Sequence, residues 1–238
     1  MILSSPRRDS HAKPAVTVDL VLMSVSGGRL AALLQRRDRE PDAGKWALPG
    51  GFVGISESLD AAAERILSTK ARMQDAYLEQ LYSFGAPDRD PRDRVITIAY
   101  FALLPERRFR SALDAGPDLA LAEIVVPWSG EAGGPVEACD AEGESLPLAF
   151  DHADILALAV KRMRGKLDYS AIGFALLPDL FTLRELQQVH EAIIGATLNK
   201  PAFRRRMLDK GWLHATGERE TGTGFRPAEL YRHNPVSV

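Results

Sequence analysis

Two groups of side chains in this 238-residue chain have the types and spacing to do chemistry. The first follows Leu48-Pro49-Gly50-Gly51-Phe52-Val53-Gly54-Ile55-Ser56-Glu57 and runs on to Met73. A Gly-rich strand end enters a loop and then a helix that Ser56 or Glu57 can begin, with Asp60 in its first turn. Carboxylates on a helix can hold Mg²⁺, a hard cation that takes oxygen ligands. A metal held there polarises phosphoryl oxygens and activates water. Glu57 and Glu64 lie on one face, two turns apart. Positions 66, 69 and 70, spaced i, i+3, i+4, share another face. Ile66, Thr69 and Lys70 give that face an apolar group, a hydroxyl and a cation, and Lys70 repels Mg²⁺.

The second group lies on a helix from Asn199 to Lys210. At about 100° per residue, Phe203, Met207 and Leu208 define an apolar arc, with Ala202, Arg205 and Arg206 roughly opposite. Arg204 falls at the arc's edge and must snorkel or serve the helix's partner. Arginine reads guanine edges and binds phosphate. The candidate DNA contacts are Thr182, Asn199, Lys200, Arg204, Arg205, Arg206 and, on a wing, Arg226. A solvated charged face is the competing reading of the arginines taken alone.

The elements that must position these groups are legible in order. Val16–Val25 and Leu30–Gln35 read as strands joined by a Ser26-Gly27-Gly28-Arg29 hairpin turn, whose glycines supply positive φ. Tyr77–Phe84 reads as a strand. Arg94–Leu104, nearly continuous in apolar residues, reads as a central one. Leu121–Trp128 is a further strand, and Ser129–Pro147 a surface excursion. Asp151–Lys166 is a helix with an acidic start and a basic end, as the macrodipole favours. Tyr169–Pro178 reads as a linker or short strand. Thr182 and Glu185 then form a capping box. Leu183, Leu186, Val189 and Ile193 make an apolar helical face, and Gly195 is a C-cap. After a short turn Asn199 caps the second helix, with Pro201 in its first turn. Trp212-Leu213 and Leu230-Tyr231 read as two strands flanking a loop. Helix, turn, helix and wing make a winged helix-turn-helix.

Bulk properties narrow the classes. The length suits one large or two small domains. One cysteine, Cys139, excludes an internal disulfide and a multi-cysteine metal site, which suits a reducing cytoplasm. Met1–Lys13 is polar and basic with no apolar core, and reads as a flexible tail over residues 1–13 rather than a signal peptide. No apolar run approaches the roughly 20 residues of a membrane-spanning helix. The net charge of −2 conceals an asymmetry: residues 170–238 carry 9 Lys+Arg against 7 Asp+Glu. A mildly basic end on an acidic body permits nucleic-acid binding at that end.

The first group resembles a Nudix box, which reads Gly, five residues, Glu, seven residues, Arg-Glu-apolar-x-Glu-Glu-x-Gly-apolar. Gly51, Glu57, Arg65, Leu67 and Met73 fall in register. Ile66, Thr69, Lys70 and Arg72 stand where the box has Glu, Glu, Glu and Gly. A Nudix-like domain with a degraded box, followed by a winged helix-turn-helix, resembles the Nudix-related transcriptional regulators, best known for NAD metabolism. The likeness rests on Gln80–Gly85, Arg89–Arg92, Leu148–Ala153, Phe181–Gln187, Phe203-Arg204-Arg205 and Phe225–Ala228, in that order. It implies an α+β fold, an α/β/α Nudix sandwich with a mixed sheet over residues 14–168, plus a winged helix-turn-helix over 169–238. It also implies a cytoplasmic homodimer that binds palindromic operators and releases them when an ADP-ribose-like effector fills the Nudix pocket. Some relatives are linked to sugar catabolism, and some keep an intact box and hydrolase activity. This chain departs from the latter: the expectation is no catalytic residues, no metal and no cofactor.

An effector carrying a pyrophosphate needs cations or backbone N–H groups, and an adenine needs a stacking face. Arg36, Arg37, Arg89, Arg92 and Arg94 are candidates for the first, Trp46, Tyr82 and Phe84 for the second, and His152 for a pocket donor. Surface ion pairs, core packing and a structural histidine are the competing readings. A ligand-responsive repressor is therefore expected, with a Nudix-type pyrophosphohydrolase as the alternative and a protein–protein adaptor as a third class.

Overall fold

The computed structural model describes residues 13–221 and 227–234. The expected tail lies almost wholly outside these residues, as does Arg226. An eight-stranded mixed sheet forms the larger part. Its strands are β1 (Ala15–Ser26), β2 (Arg29–Arg36), β3 (Trp46–Ala47), β4 (Gly50–Phe52), β5 (Glu79–Phe84), β6 (Val95–Leu103), β7 (Leu119–Val125) and β8 (Glu137–Cys139). The order is β5-β6-β1-β2-β7-β8, with β3 on β2 and β4 on β1. Only β1 and β6 run parallel; the other pairs are antiparallel.

The helices are α1 (Leu59–Thr69), α2 (Arg110–Asp114), α3 (His152–Lys166), α4 (Leu183–Ile194) and α5 (Lys200–Asp209). Side chains alternate across the pleat of β1. Val18, Leu20 and Leu22 pack with Ile66 and Leu67 of α1. Val21 and Met23 face the opposite way, into the cluster that holds Ile155, Leu156 and Met163 of α3. Helix, sheet and helix are thus the three expected layers.

The helix after the Gly-rich turn begins later than its carboxylates suggest. Ser58 is the N-cap, its hydroxyl accepting from the Ala61 N–H at 3.1 Å. Glu57 is left in the loop. Within 129–147, residues 137–139 are not excursion but β8, paired with β7. Residues 172–176 form a 3₁₀ turn rather than a linker, and Phe174, Leu176 and Leu177 are buried.

The C-terminal part is a three-stranded sheet, β10 (Leu213–Arg219), β11 (Glu229–His233) and β9 (Phe181–Thr182), against α4 and α5. Thr182 and Glu185 make the reciprocal capping box, and Gly195 ends α4 at φ 76. The α4–α5 turn is fastened by side chains. Gln187 donates to the Leu198 carbonyl at 3.1 Å, and Glu191 accepts the Leu198 N–H at 2.8 Å. Asn199 caps α5 by accepting the Ala202 N–H.

A cation-lined cavity and an arginine-bearing reader helix

Six segments of the chain converge on a cavity of about 390 Å³. β1 contributes Asp19, the loop after β2 contributes Arg37 and Arg39, and β4 contributes Gly50, Gly51 and Phe52. Lys70 comes from the end of α1, Arg89 and Arg92 from the loop before β6, and Phe150 and His152 from the start of α3. Gly50 is needed opposite Asp19: a Cβ at position 50 would lie 2.0 Å from the Asp19 Oδ1.

The cavity's charges are mostly paired. Arg89, with a side chain only 4% exposed, donates to both Asp151 oxygens at 2.8 and 2.7 Å and lies 3.7 Å from Asp19. It thereby fixes the start of α3. Arg92 grips Asp90 at 2.9 and 2.6 Å, and this pairing holds Asp90 below the usual carboxylate range. The Nδ1 of His152 accepts the Leu48 N–H at 2.9 Å, so its proton sits on Nε2, 3.9 Å from Asp19. Burial lowers its pKa, so the ring is neutral.

The aromatic face is Phe150. The Arg37 guanidinium lies 4.6 Å from its ring centre and that of Arg92 5.6 Å, with Phe52 a further 5.8 Å neighbour of Arg92. Phe150 holds a left-handed φ of 52, and its N–H donates to Asp42 at 3.0 Å. Phe150 lies within Leu148–Ala153, one of the stretches that carry the family resemblance, but is not among the expected site residues. Its distinguishing feature, a strained backbone, leaves no mark in the residue type.

Of the expected effector residues, the cavity gathers Arg37, Arg89, Arg92 and His152. The others lie elsewhere. Arg36 is exposed at the end of β2, facing Trp46 across the β2–β3 ladder. Trp46 packs against the core, and its backbone bonds to residues 147 and 149. Arg94 donates to the Ala86 carbonyl and so braces its own loop. Tyr82 and Phe84 do share a face, meeting edge-on at 5.6 Å, but they line a separate hollow beside Leu158 of α3.

A Nudix metal does not fit these residues. Ile66 is fully buried, Thr69 donates back to the Arg65 carbonyl at 2.7 Å, and Lys70 is a cation. Among the described residues no cluster of three His, Cys, Asp or Glu is placed to hold a metal ion. The retained box residues do something else. Glu57 accepts from Arg65 at 2.7 and 2.8 Å and from the Gly54 N–H at 2.9 Å, while Arg65 also donates to the Phe52 carbonyl. Arg65 and then Gly54 pull the Glu57 pKa down to about 2. Glu57 and Arg65 are a loop clamp.

On α5, Phe203 and Met207 are buried, and Arg205 is exposed, 3.7 Å from Asp209. Two expectations need correction. Leu208 is 43% exposed, because it sits about 120° from the midpoint of Phe203 and Met207. Arg206 lies on the flank, its guanidinium 5.7 Å from the Phe203 ring centre and 3.2 Å from Asp168. Thr182 is 2% exposed, and its hydroxyl is consumed in the capping box, so it positions α4 and has no face for DNA. Lys200 and Arg204, one turn apart, line a groove with Arg184 of α4, a residue outside the expected contacts. Asn199 serves as the cap.

A Nudix sandwich whose cavity carries a cation at a metal-ligand position, joined to a winged helix, defines a ligand-sensing DNA-binding regulator. Residues 13–128 match the NUDIX domain and residues 173–233 the NrtR DNA-binding winged helix domain. The chain is 36% identical over 232 residues to the ADPR responsive transcriptional repressor NtrR of Acinetobacter baylyi, covering 97% of this chain and 86% of that one. The crystal structure of Shewanella oneidensis NrtR complexed with a 27mer DNA superposes with a TM-score of 0.75 at 34% identity, covering 92% of this chain and 94% of that one. An ADP-ribose pyrophosphatase of Methanocaldococcus jannaschii is 31% identical over 147 residues, covering 61% of this chain and 73% of that one. The chain belongs to the NrtR family of Nudix-related transcriptional regulators.

Proposed function

We propose that the protein is a transcriptional repressor that holds operator DNA through α5 and releases it when an ADP-ribose-like nucleotide fills the cavity. The observation that carries this reading is the pairing of two sites on one chain. A cavity with guanidinium groups stacked on Phe150 suits a diphosphate and a base. A capped helix-turn-helix presents Lys200, Arg204 and Arg205 to solvent. Residues 14–168 form the sensing unit and 169–238 the reading unit. The protein acts as a homodimer, as two-fold operators require, and works in the cytoplasm. No helix among the described residues is long and apolar enough to cross a membrane.

Calorimetric titration of ADP-ribose with and without operator DNA tests the reading. Linkage requires operator to weaken ADP-ribose binding by the same factor as ADP-ribose weakens operator binding. Equal affinities in the two titrations would remove the repressor-release mechanism.

A second reading, residual pyrophosphohydrolase activity, draws on the similarity of the sensing unit to the pyrophosphatase. Ile66, Thr69 and Lys70 in the ligand positions speak against it. Hydrolysis of ADP-ribose above a no-enzyme control, abolished by chelator, would restore it.

A further inference from the structure

We infer that the Lys70 ammonium takes the place of the divalent metal, so that the cavity binds a nucleoside diphosphate group without any metal ion. The inference rests on the effector reading above and deepens it.

Lys70 stands at the last glutamate position of the box, and its side chain lines the cavity. It is also the C-cap of α1. The carbonyl end of a helix carries partial negative charge, so an anionic diphosphate next to it needs an intervening cation. In the enzymes that this box resembles, a carboxylate-held metal supplies that cation. Here a carboxylate has become an ammonium at the same place, which converts a metal ligand into the positive charge itself.

Of the four acids that line the cavity, three have other partners: Asp90 is gripped by Arg92, Asp38 lies 3.7 Å from Arg39, and Asp19 lies 3.7 Å from Arg89, while the fourth, Glu40, is exposed at the rim. The two remaining metal positions do not compete, since Ile66 is sealed in the core and Thr69 is bonded to its own helix. Lysine suits the task as a compact point charge on a flexible stem, able to follow a phosphate oxygen.

The test is calorimetry on the full-length protein with ADP-ribose, ADP and inorganic pyrophosphate, each in chelator and in Mg²⁺. The parent should bind ADP-ribose equally well in both. Lys70→Met should weaken ADP-ribose and ADP binding about tenfold or more in chelator, while Lys70→Arg should retain most of the affinity. Circular dichroism and melting curves would show each variant folded, and Lys70 is exposed enough that they should be. Binding by the parent only in Mg²⁺, or parental affinity in Lys70→Met, would overturn the inference. Metal-free, Lys70-dependent binding of ADP or pyrophosphate without ADP-ribose binding would keep it and remove the ADP-ribose reading. Failure of all three ligands in chelator would overturn it outright.

Discussion

At the scale of single residues, the box positions divide by what they do. Glu57 and Arg65 hold the loop between β4 and α1, and both persist. The positions a metal would need have gone to the core, to the helix backbone and to a cation. Arg72, at the box glycine, adopts a left-handed φ of 55 and is tethered by two bonds to Asp118 at 2.9 and 2.8 Å. Restoring the three glutamates is therefore not a simple reversal. Ile66 packs in a filled layer with Val18, Leu20 and Tyr100, and a carboxylate there is buried without a partner. Ile66→Glu should cost roughly 3 kcal/mol or more, read as a lower urea midpoint at unchanged slope. Lys70→Glu alone should cost little stability. The triple change Ile66→Glu, Thr69→Glu, Lys70→Glu should lose stability before it gains hydrolysis. Parental stability in Ile66→Glu would mean that the side chain swings into the cavity and that the metal site is recoverable.

At the scale of elements, patterned segments were legible and irregular ones were not. The hairpin, the central strand, the capping box and the Gly195 cap all stand where the residue pattern puts them. Their signals are local: period, cap and glycine. The cavity is made by six segments distant in sequence, and no local signal tells Arg37 and Arg92, which enter it, from Arg36 and Arg94, which do not. Phe150 escaped for the same reason. The wheel of α5 erred at Leu208 because an apolar type was taken for an inward direction. A mutant pair separates the two. Met207→Ala should cost about 2–5 kcal/mol, whereas Leu208→Ala should stay within about 0.5 kcal/mol. On the same helix, Arg205→Ala should leave stability unchanged yet weaken DNA binding. A base-reading arginine would lose about 1–3 kcal/mol on operator with relaxed specificity; a phosphate contact would weaken all sequences and lower the salt slope by about 1. Unchanged operator affinity across a salt series would take α5 out of the interface.

At the scale of the whole molecule, each unit buries a neutral histidine, His152 at the cavity and His190 between α4 and α5. The His190 Nδ1 meets the Leu186 carbonyl at 2.9 Å, its ring lies edge-on to Phe203, and burial brings its pKa down to about 4. Below the unfolded value of about 6.5, the unfolded chain takes up a proton that the folded chain refuses. Stability therefore falls as pH drops, until the folded ring also titrates near 4. His190 alone should remove about 2 kcal/mol between pH 7 and pH 5. Melting temperature against pH checks this: a His190→Gln variant should show a shallower decline, and an equal slope would place the loss elsewhere.

The two units are also joined by one helix. α3 begins at the cavity with His152 and, about 18 Å along its axis, presents Arg164 to the winged helix. Arg164 donates to the Ile193 carbonyl at the end of α4 at 2.7 Å, and to the Trp128 and Gly130 carbonyls at 2.8 and 3.1 Å, while stacking on Trp128. One fork thus ties the sensing sheet, α3 and the first helix of the reader. The fork gives a shift at the start of α3 a route, through α4 and its fastened turn, to α5. Arg164→Met keeps the stem but leaves three carbonyls without their donor, a loss on the order of 2–4 kcal/mol. If the fork carries the coupling, the variant should bind ADP-ribose and operator separately with near-parental affinity. The factor by which one weakens the other should shrink towards one. Arg164→Lys, with a point charge in place of the fork, should fall between. Titrations of each ligand with and without the other measure the factor directly. A folded Arg164→Met protein with the full parental factor would mean that the coupling does not run through this fork.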